Sequence, residues 1–174
     1  AASPSSTVDI PAGEIVSINT DSIADLPKGD HGIVVAVLNN VPVVVEHVLS
    51  QSVGGSSFTA ITNGVPSGLI TQTWRVPSGL AKGALNALSI LNTTALDGTF
   101  TIAAVGPGGQ VDLPSLTNVP LTAAALASLD VPEGVNDAEI VINATVPIVV
   151  QRRTTRGHGL VGFGIVSALP VAPR

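Results

Sequence analysis

The sequence predicts an all-β fold: antiparallel, immunoglobulin-like β-sandwich modules. Three observations predict it. Short runs alternate apolar with polar or small residues, β-branched runs stand between Gly/Pro/Asn breakers, and a set of landmarks recurs about 105 residues apart.

The alternating runs are "SFTAIT" (57–62), "TQTWRV" (71–76), "TFTIAAV" (99–105) and "GFGIVS" (162–167). Successive strand side chains point to opposite faces, so this period-2 pattern belongs to half-buried strands. The β-branched runs are "GIVVAVL" (32–38), "PVVVEHVL" (42–49), "EIVIN" (139–143) and "PIVVQRR" (147–153), read as core strands. The joints "LNNVP" and "INATVP" separate pairs of these runs and predict a hairpin at each, with Pro42 and Pro147 at positions that need no ladder N–H. Helix is scarce: "LTAAALASLD" (121–130) predicts at most a short helical crossover. Trp74 lies in phase with Ile70 and Val76 and is expected in the core. The Cys…Trp…Cys pattern of true immunoglobulin domains is absent, so the expectation concerns layers and not ancestry.

The landmarks define an internal repeat. "VDIP" (8–11) recurs as "VDLP" (111–114) at an offset of 103, "DLPKG" (25–29) as "DVPEG" (130–134) at 105, and "VPVVV" (41–45) as "VPIVV" (146–150) at 105. Phe58 then falls on Phe163 and Pro66 on Pro170. The segment from about Gly68 to Gly109 has no earlier counterpart. The expected organisation is a partial repeat over residues 1–68 and a complete one over 69–174. The N-terminal piece either closes on itself, the preferred expectation, or takes strands from the middle segment.

Composition excludes several classes of function. Without cysteine there is no disulfide, thiolate nucleophile or zinc knuckle. Charged residues make up only 11% of the chain, leaving a surface of Ser, Thr, Asn and Gly that is associated with secreted and cell-surface β proteins. The expected location is extracytoplasmic. No apolar run reaches the roughly 18 residues of a membrane-spanning helix, so no transmembrane segment is expected. The first residues, "AASPSSTVD", lack the basic and hydrophobic parts of a signal peptide and read as a mature end or a Ser/Pro linker. A net charge of −5 argues against nucleic acid or an anionic membrane as partner.

The segments "TQTWRVPSG", "ALSILNTT", "GTFTIAAVGPGGQ" and "VPIVVQRR" together resemble a family of secreted actinobacterial proteins of unknown function built from tandem β-sandwich repeats. The resemblance covers 69–174 and, in part, 8–66. It implies an extracytoplasmic module and supplies no catalytic residues.

Candidate chemistry is sparse. Gly157, Gly159 and Gly162 have the spacing of a dinucleotide loop, but a strand-like run broken by Pro170 follows where a helix is needed, and no acidic residue comes later. Their repeat counterparts are Ser52, Gly54 and Ser57, which makes the stretch a small-residue hairpin connection. Glu46 and His47 are neighbours on a strand, so they point apart and form no acid–base dyad. His31 and His158 stand in Gly-rich loops with no metal-ligand spacing, and Asp21, Asp25, Asp30, Asp97, Asp137 and Glu139 form no calcium-loop series. One Trp, three Phe and no Tyr are too few for the stacking platforms of sugar or single-strand binders. The sequons at Asn92 and Asn143 sit where strand ends are expected. The concentrated positive charge is Arg152, Arg153 and Arg156 with His158, the candidate interaction surface.

The expected function is therefore non-enzymatic, with no cofactor and no metal: a structural, spacer or protein-interaction module whose partner is another protein or a second copy. Two alternatives stand beside it. They are a cell-wall polysaccharide-binding module and a hydrolase whose site is assembled at the repeat interface.

Overall fold

The computed structural model describes residues 4–26, 28–53, 56–78, 84–135, 138–156 and 163–172. Contacts divide the chain into two compact units, Ala1–His31 and Gly32–Arg174. The first has no strand among its described residues. It is organised by local turns: the Glu14 N–H donates to the Pro11 carbonyl at 3.1 Å, and the Asn19 side chain accepts from the Asp21 N–H at 3.0 Å ahead of a 3-10 turn at Thr20–Ser22.

The second unit is all-β. Its strands are β1 (Glu46–Val53), β2 (Ser56–Asn63), β3 (Thr71–Val76), β4 (Ala84–Asn92), β5 (Gly98–Gly106), β6 (Gly109–Asp112), β7 (Val119–Leu121), β8 (Leu126–Asp130), β9 (Glu139–Arg156), β10 (Phe163–Ser167) and β11 (Leu169–Pro170). Every pairing is antiparallel. The arrangement is consistent with a β-sandwich. β1 and β2 form a sheet of their own, and the other nine strands form a second. β3 to β8 belong to the same sheet as β9 to β11.

β9 organises the larger sheet. Its first half pairs with β3 on one edge and β5 on the other; its second half pairs with β4 and β10. Between the halves the ladder slips. Thr73 faces Asn143 while Thr71 faces Ile148, so two steps along β3 answer five along β9. Four residues of β9, Ala144 to Pro147, thus stand opposite the single Gln72 of β3, although Ala144 still pairs with Phe100 of β5, and extra residues in one strand bend it. A strand bent in this way can pass from one layer to the other. Ile140, Ile142, Val146, Ile148 and Val150 accordingly join Trp74, Val76, Leu88, Ile90, Phe100 and Ile102 in a single buried cluster.

Three contacts hold the bend. The Trp74 indole N–H donates to the Ile148 carbonyl at 2.9 Å and is shared with the Thr71 carbonyl at 3.1 Å. The Gln72 amide donates to the Thr145 carbonyl at 2.9 Å, and the Thr99 N–H donates to the Thr145 hydroxyl at 2.9 Å. Gly98 lies so close that a Cβ there would stand 2.6 Å from Val146 Cγ2 and 2.9 Å from Thr145 Oγ1.

The expected strands at 57–62, 71–76 and 99–105 are present, that at 162–167 is present from Phe163 onward, with Gly162 outside the described residues, and Trp74 is buried. Four local expectations are corrected. The "INATVP" joint is not a hairpin: β9 runs through it unbroken, because both flanking runs find partners without reversing. Asn143 is therefore within a strand and not at its end. Residues 121–130 form β7's last residue, a turn with Ala124 at φ 53° and β8, since pairing with β4 outweighs the helix preference of Ala and Leu. Residues 32–45 carry no strand, and the "LNNVP" joint is a turn without a hairpin around it.

Trp74→Phe removes the shared indole donor and leaves two carbonyls short of a partner, with an expected loss of about 2–4 kcal/mol in urea unfolding. Gly98→Ala should cost about 1–3 kcal/mol by overpacking. Gly106→Ala, on the same strand with nothing within 4 Å of the added methyl, serves as control. Equal midpoints for the two glycine variants would contradict the packed bend.

Candidate functional site

The arginine cluster divides. Arg152 continues the phase of Ile148 and Val150, so it leaves β9 on the side of the buried cluster. It is half-buried; its Nη1 donates to the Pro77 carbonyl at 2.8 Å and its Nε is buried with no partner. Desolvation by that burial pushes its pKa below the ordinary arginine value. Asn86 of β4, two positions from the Leu88 that faces Arg152 across the ladder, is also buried and has an unpartnered Oδ1. Arg153 leaves on the opposite side, between Ala87 of β4 and Ile165 of β10. Arg156 ends β9 opposite Ala84, and its side chain, like the whole of His158, lies outside the described residues. Arg152 and Arg153 thus present no joint charged surface.

Other candidates are occupied structurally or stand apart. Glu46 and His47 begin β1 at successive positions, the first exposed and the second half-buried. Asp97 accepts from the Ala123 N–H at 2.8 Å, fastening a turn. Arg75 and Glu139 form an exposed ion pair at 3.1 Å, an arrangement worth at most about 1 kcal/mol. Gly157, Gly159, Gly162 and Asp137 lie outside the described residues. Among the described residues no three His, Asp or Glu side chains gather as a metal site would require.

Asn92 has a role that sequence reading missed. It is buried at the end of β4; its amide donates to the Leu96 carbonyl at 2.8 Å and the Thr122 carbonyl at 3.1 Å, and its Oδ1 accepts from the Thr94 N–H and hydroxyl at 2.9 and 2.8 Å. This sequon side chain is consumed in joining two loops. The one sequence signal was an Asn closing an apolar strand.

A cavity of about 270 Å³ lies between the end of β2 and the β10–β11 segment, lined by Thr62, Val65, Trp74, Ser167, Ala168 and Pro170 among others. The Thr62 and Ser167 hydroxyls approach to 3.4 Å there. None of its lining residues ionises, so it holds no general acid or base.

The most distinctive surface is apolar. Between Gly32 and Val45 the chain carries no charge and no regular strand. Ile33, Val35, Val37, Val41, Val43 and Val45 retain 36–55% of their area, while Val34, Leu38 and Val44 retain 74–85%. The alternation is that of a strand with one face half-covered and the other largely exposed. β1 continues this segment and, among the described residues, pairs with β2 alone.

No protein family matches the chain, and no curated protein matches it. Among solved structures, Thermotoga maritima 1070 is similar to part of it, with a TM-score of 0.48 and 16% identity over 57% of this chain and 94% of that one. The resemblance to secreted actinobacterial repeat proteins therefore rests on the sequence motifs.

Asn92→Ala is expected to lower stability by about 2–4 kcal/mol, since it strands several buried partners at once. Arg152→Met keeps an unbranched side chain and removes a partly desolvated charge, so its stability to urea should stay within about 1 kcal/mol of the wild type. A large loss for Arg152→Met would reveal a partner for Nε.

Proposed function

We propose that the chain is a non-enzymatic β-sandwich module that acts by protein–protein interaction. The observation that carries this reading is the uncharged, largely exposed apolar segment Gly32–Val45 continuing into β1, which among the described residues pairs on one edge alone. Monomeric soluble proteins rarely expose contiguous apolar patches beyond a few hundred Å², and larger ones mark interaction sites. An unpaired strand edge is likewise a template for another strand. The same proposal includes an extracytoplasmic location, supported by the low charge and the Ser/Thr/Gly-rich composition.

Charge placed on both faces of the segment tests the role. The expectation is that wild-type chain binds a hydrophobic dye or self-associates with rising concentration, and that Val35→Lys with Val44→Lys abolishes this while the urea midpoint changes by less than about 1 kcal/mol. A monomer that binds no dye, or a double variant that unfolds outright, would show that these residues serve the chain's own core.

A further inference from the structure

The internal repeat makes it possible to ask what covers each N-terminal residue's counterpart. At the offset of 105, Val35, Val37, Val41, Val43 and Val45 correspond to Ile140, Ile142, Val146, Ile148 and Val150. Those five retain 7% or less of their area, whereas the first five retain 36–55%. The covering elements in the second copy are β3, β4 and β5, which pair with β9 along both of its halves. All three lie within 68–109, the stretch with no counterpart earlier in the sequence.

The remaining differences follow the same rule. β6 and β7 pair only with β5, and β8 only with β4. Their counterparts between residues 6 and 25 have no partner of that kind in the chain, and none is a strand. β10 pairs with the second half of β9, and both have counterparts in the first copy; those counterparts, β2 and β1, do pair. Every strand that the first copy lacks is thus one whose partner is missing, and the one pair whose members are both present forms.

We propose that Gly32–Val53 is the central strand of a second sandwich, and that its occupant is a set of mainly apolar, Trp-anchored antiparallel strands of the β3–β5 kind, in which Arg75 is the one charged residue. These strands come from outside residues 1–174 and are joined on the N-terminal side of residue 8, as β3–β5 are joined ahead of Val111. This rests on the interaction reading above and names the partner. A second copy of the chain cannot fill the role in the same way. Each copy carries two acceptor strands and one set of β3–β5, so lending that set empties its own β9. The area is adequate: the nine large apolar residues between Ile33 and Val45 keep 36–85% of their area on either side of the turn around Asn39 and Asn40, surface of the kind that a specific interface buries at ~800 Å² per partner.

The experiment extends the whole chain at its N-terminus with a second copy of residues 67–110 and follows amide hydrogen exchange. Exchange over 32–53 should slow about 100-fold or more relative to the unextended chain, while β4 and β9 keep their protection. An extension carrying Lys in place of its Trp, Leu88 and Ile102 equivalents should give no slowing. Because the chain has no cysteine, a second measurement is available. Ala103 faces Val141 across β5 and β9, and Val141 corresponds to Ala36, so Ala36→Cys and Ala103→Cys in the added copy should form a disulfide under oxidation. Unchanged exchange over 32–53 together with no disulfide overturns the proposal. If the unextended chain instead protects 32–53 by dimerising, this proposal falls and the interaction reading stands. If it protects them as a monomer, both fall.

Discussion

The Trp74 indole bond to the Ile148 carbonyl sits at the point on which the larger sheet depends. Trp74 faces Ile142 in the ladder, yet its N–H reaches a carbonyl six residues further along β9. That reach goes with the register shift between β3 and β9, where Ala144 to Pro147 stand opposite Gln72 alone and the strand bends. Pro147 suits the bend: it has no N–H to leave unpaired, and its carbonyl still accepts from the N–H and hydroxyl of Thr93 at 3.4 and 3.1 Å. Without the bend, Ile140 and Val150 would belong to one flat sheet and could not share a core. The close passage of Gly98 belongs to the same constraint, since any side chain there pushes on Val146 and Thr145.

The polar groups at the two ends of the core are treated differently. Asn92 is satisfied by four good hydrogen bonds that tie the loops after β4 and around Thr122. Asn86 and Arg152 are each left with a buried unpartnered atom. A half-satisfied polar group costs stability where a satisfied one specifies structure. Asn92 therefore belongs to the fold's definition, while Arg152 is tolerated by it.

Much of the larger sheet was legible in the sequence. Period-2 alternation located β2, β3, β5 and β10, and the phase of Ile70 and Val76 put Trp74 inside. What escaped was continuity and partnership. "INATVP" has the composition of a turn, and only the two-sided pairing of β9 shows that it is a bend. The Ala-rich 121–130 segment has helical propensity, and β4 supplies the edge that makes it β8. Of the candidate surface, strand alternation sends Arg152 and Arg153 to opposite faces, but no local pattern announces that Arg152 is the one on the side of the core or that its Nε is buried there. The buried bonding of Asn92 joins residues some 30 positions apart, beyond the reach of any sequence window.

Residues 32–45 show why local pattern has this limit. Their sequence is as strand-like as that of 138–150, with β-branched residues at 35, 37, 41, 43 and 45 in the phase of 140, 142, 146, 148 and 150, yet those of the second stretch are buried and those of the first are half-exposed. Propensity is identical in kind; the difference lies in what stands beside them. A strand gains its hydrogen bonds only from neighbours, and β propensity largely measures packing against cross-strand residues. A two-stranded ribbon is marginal alone, which is why pairing stops at β1–β2 instead of spreading back toward Gly32. The exposed apolar residues at 32–45 thus fit a core-strand sequence whose continuation, β1, has β2 as its one paired neighbour among the described residues.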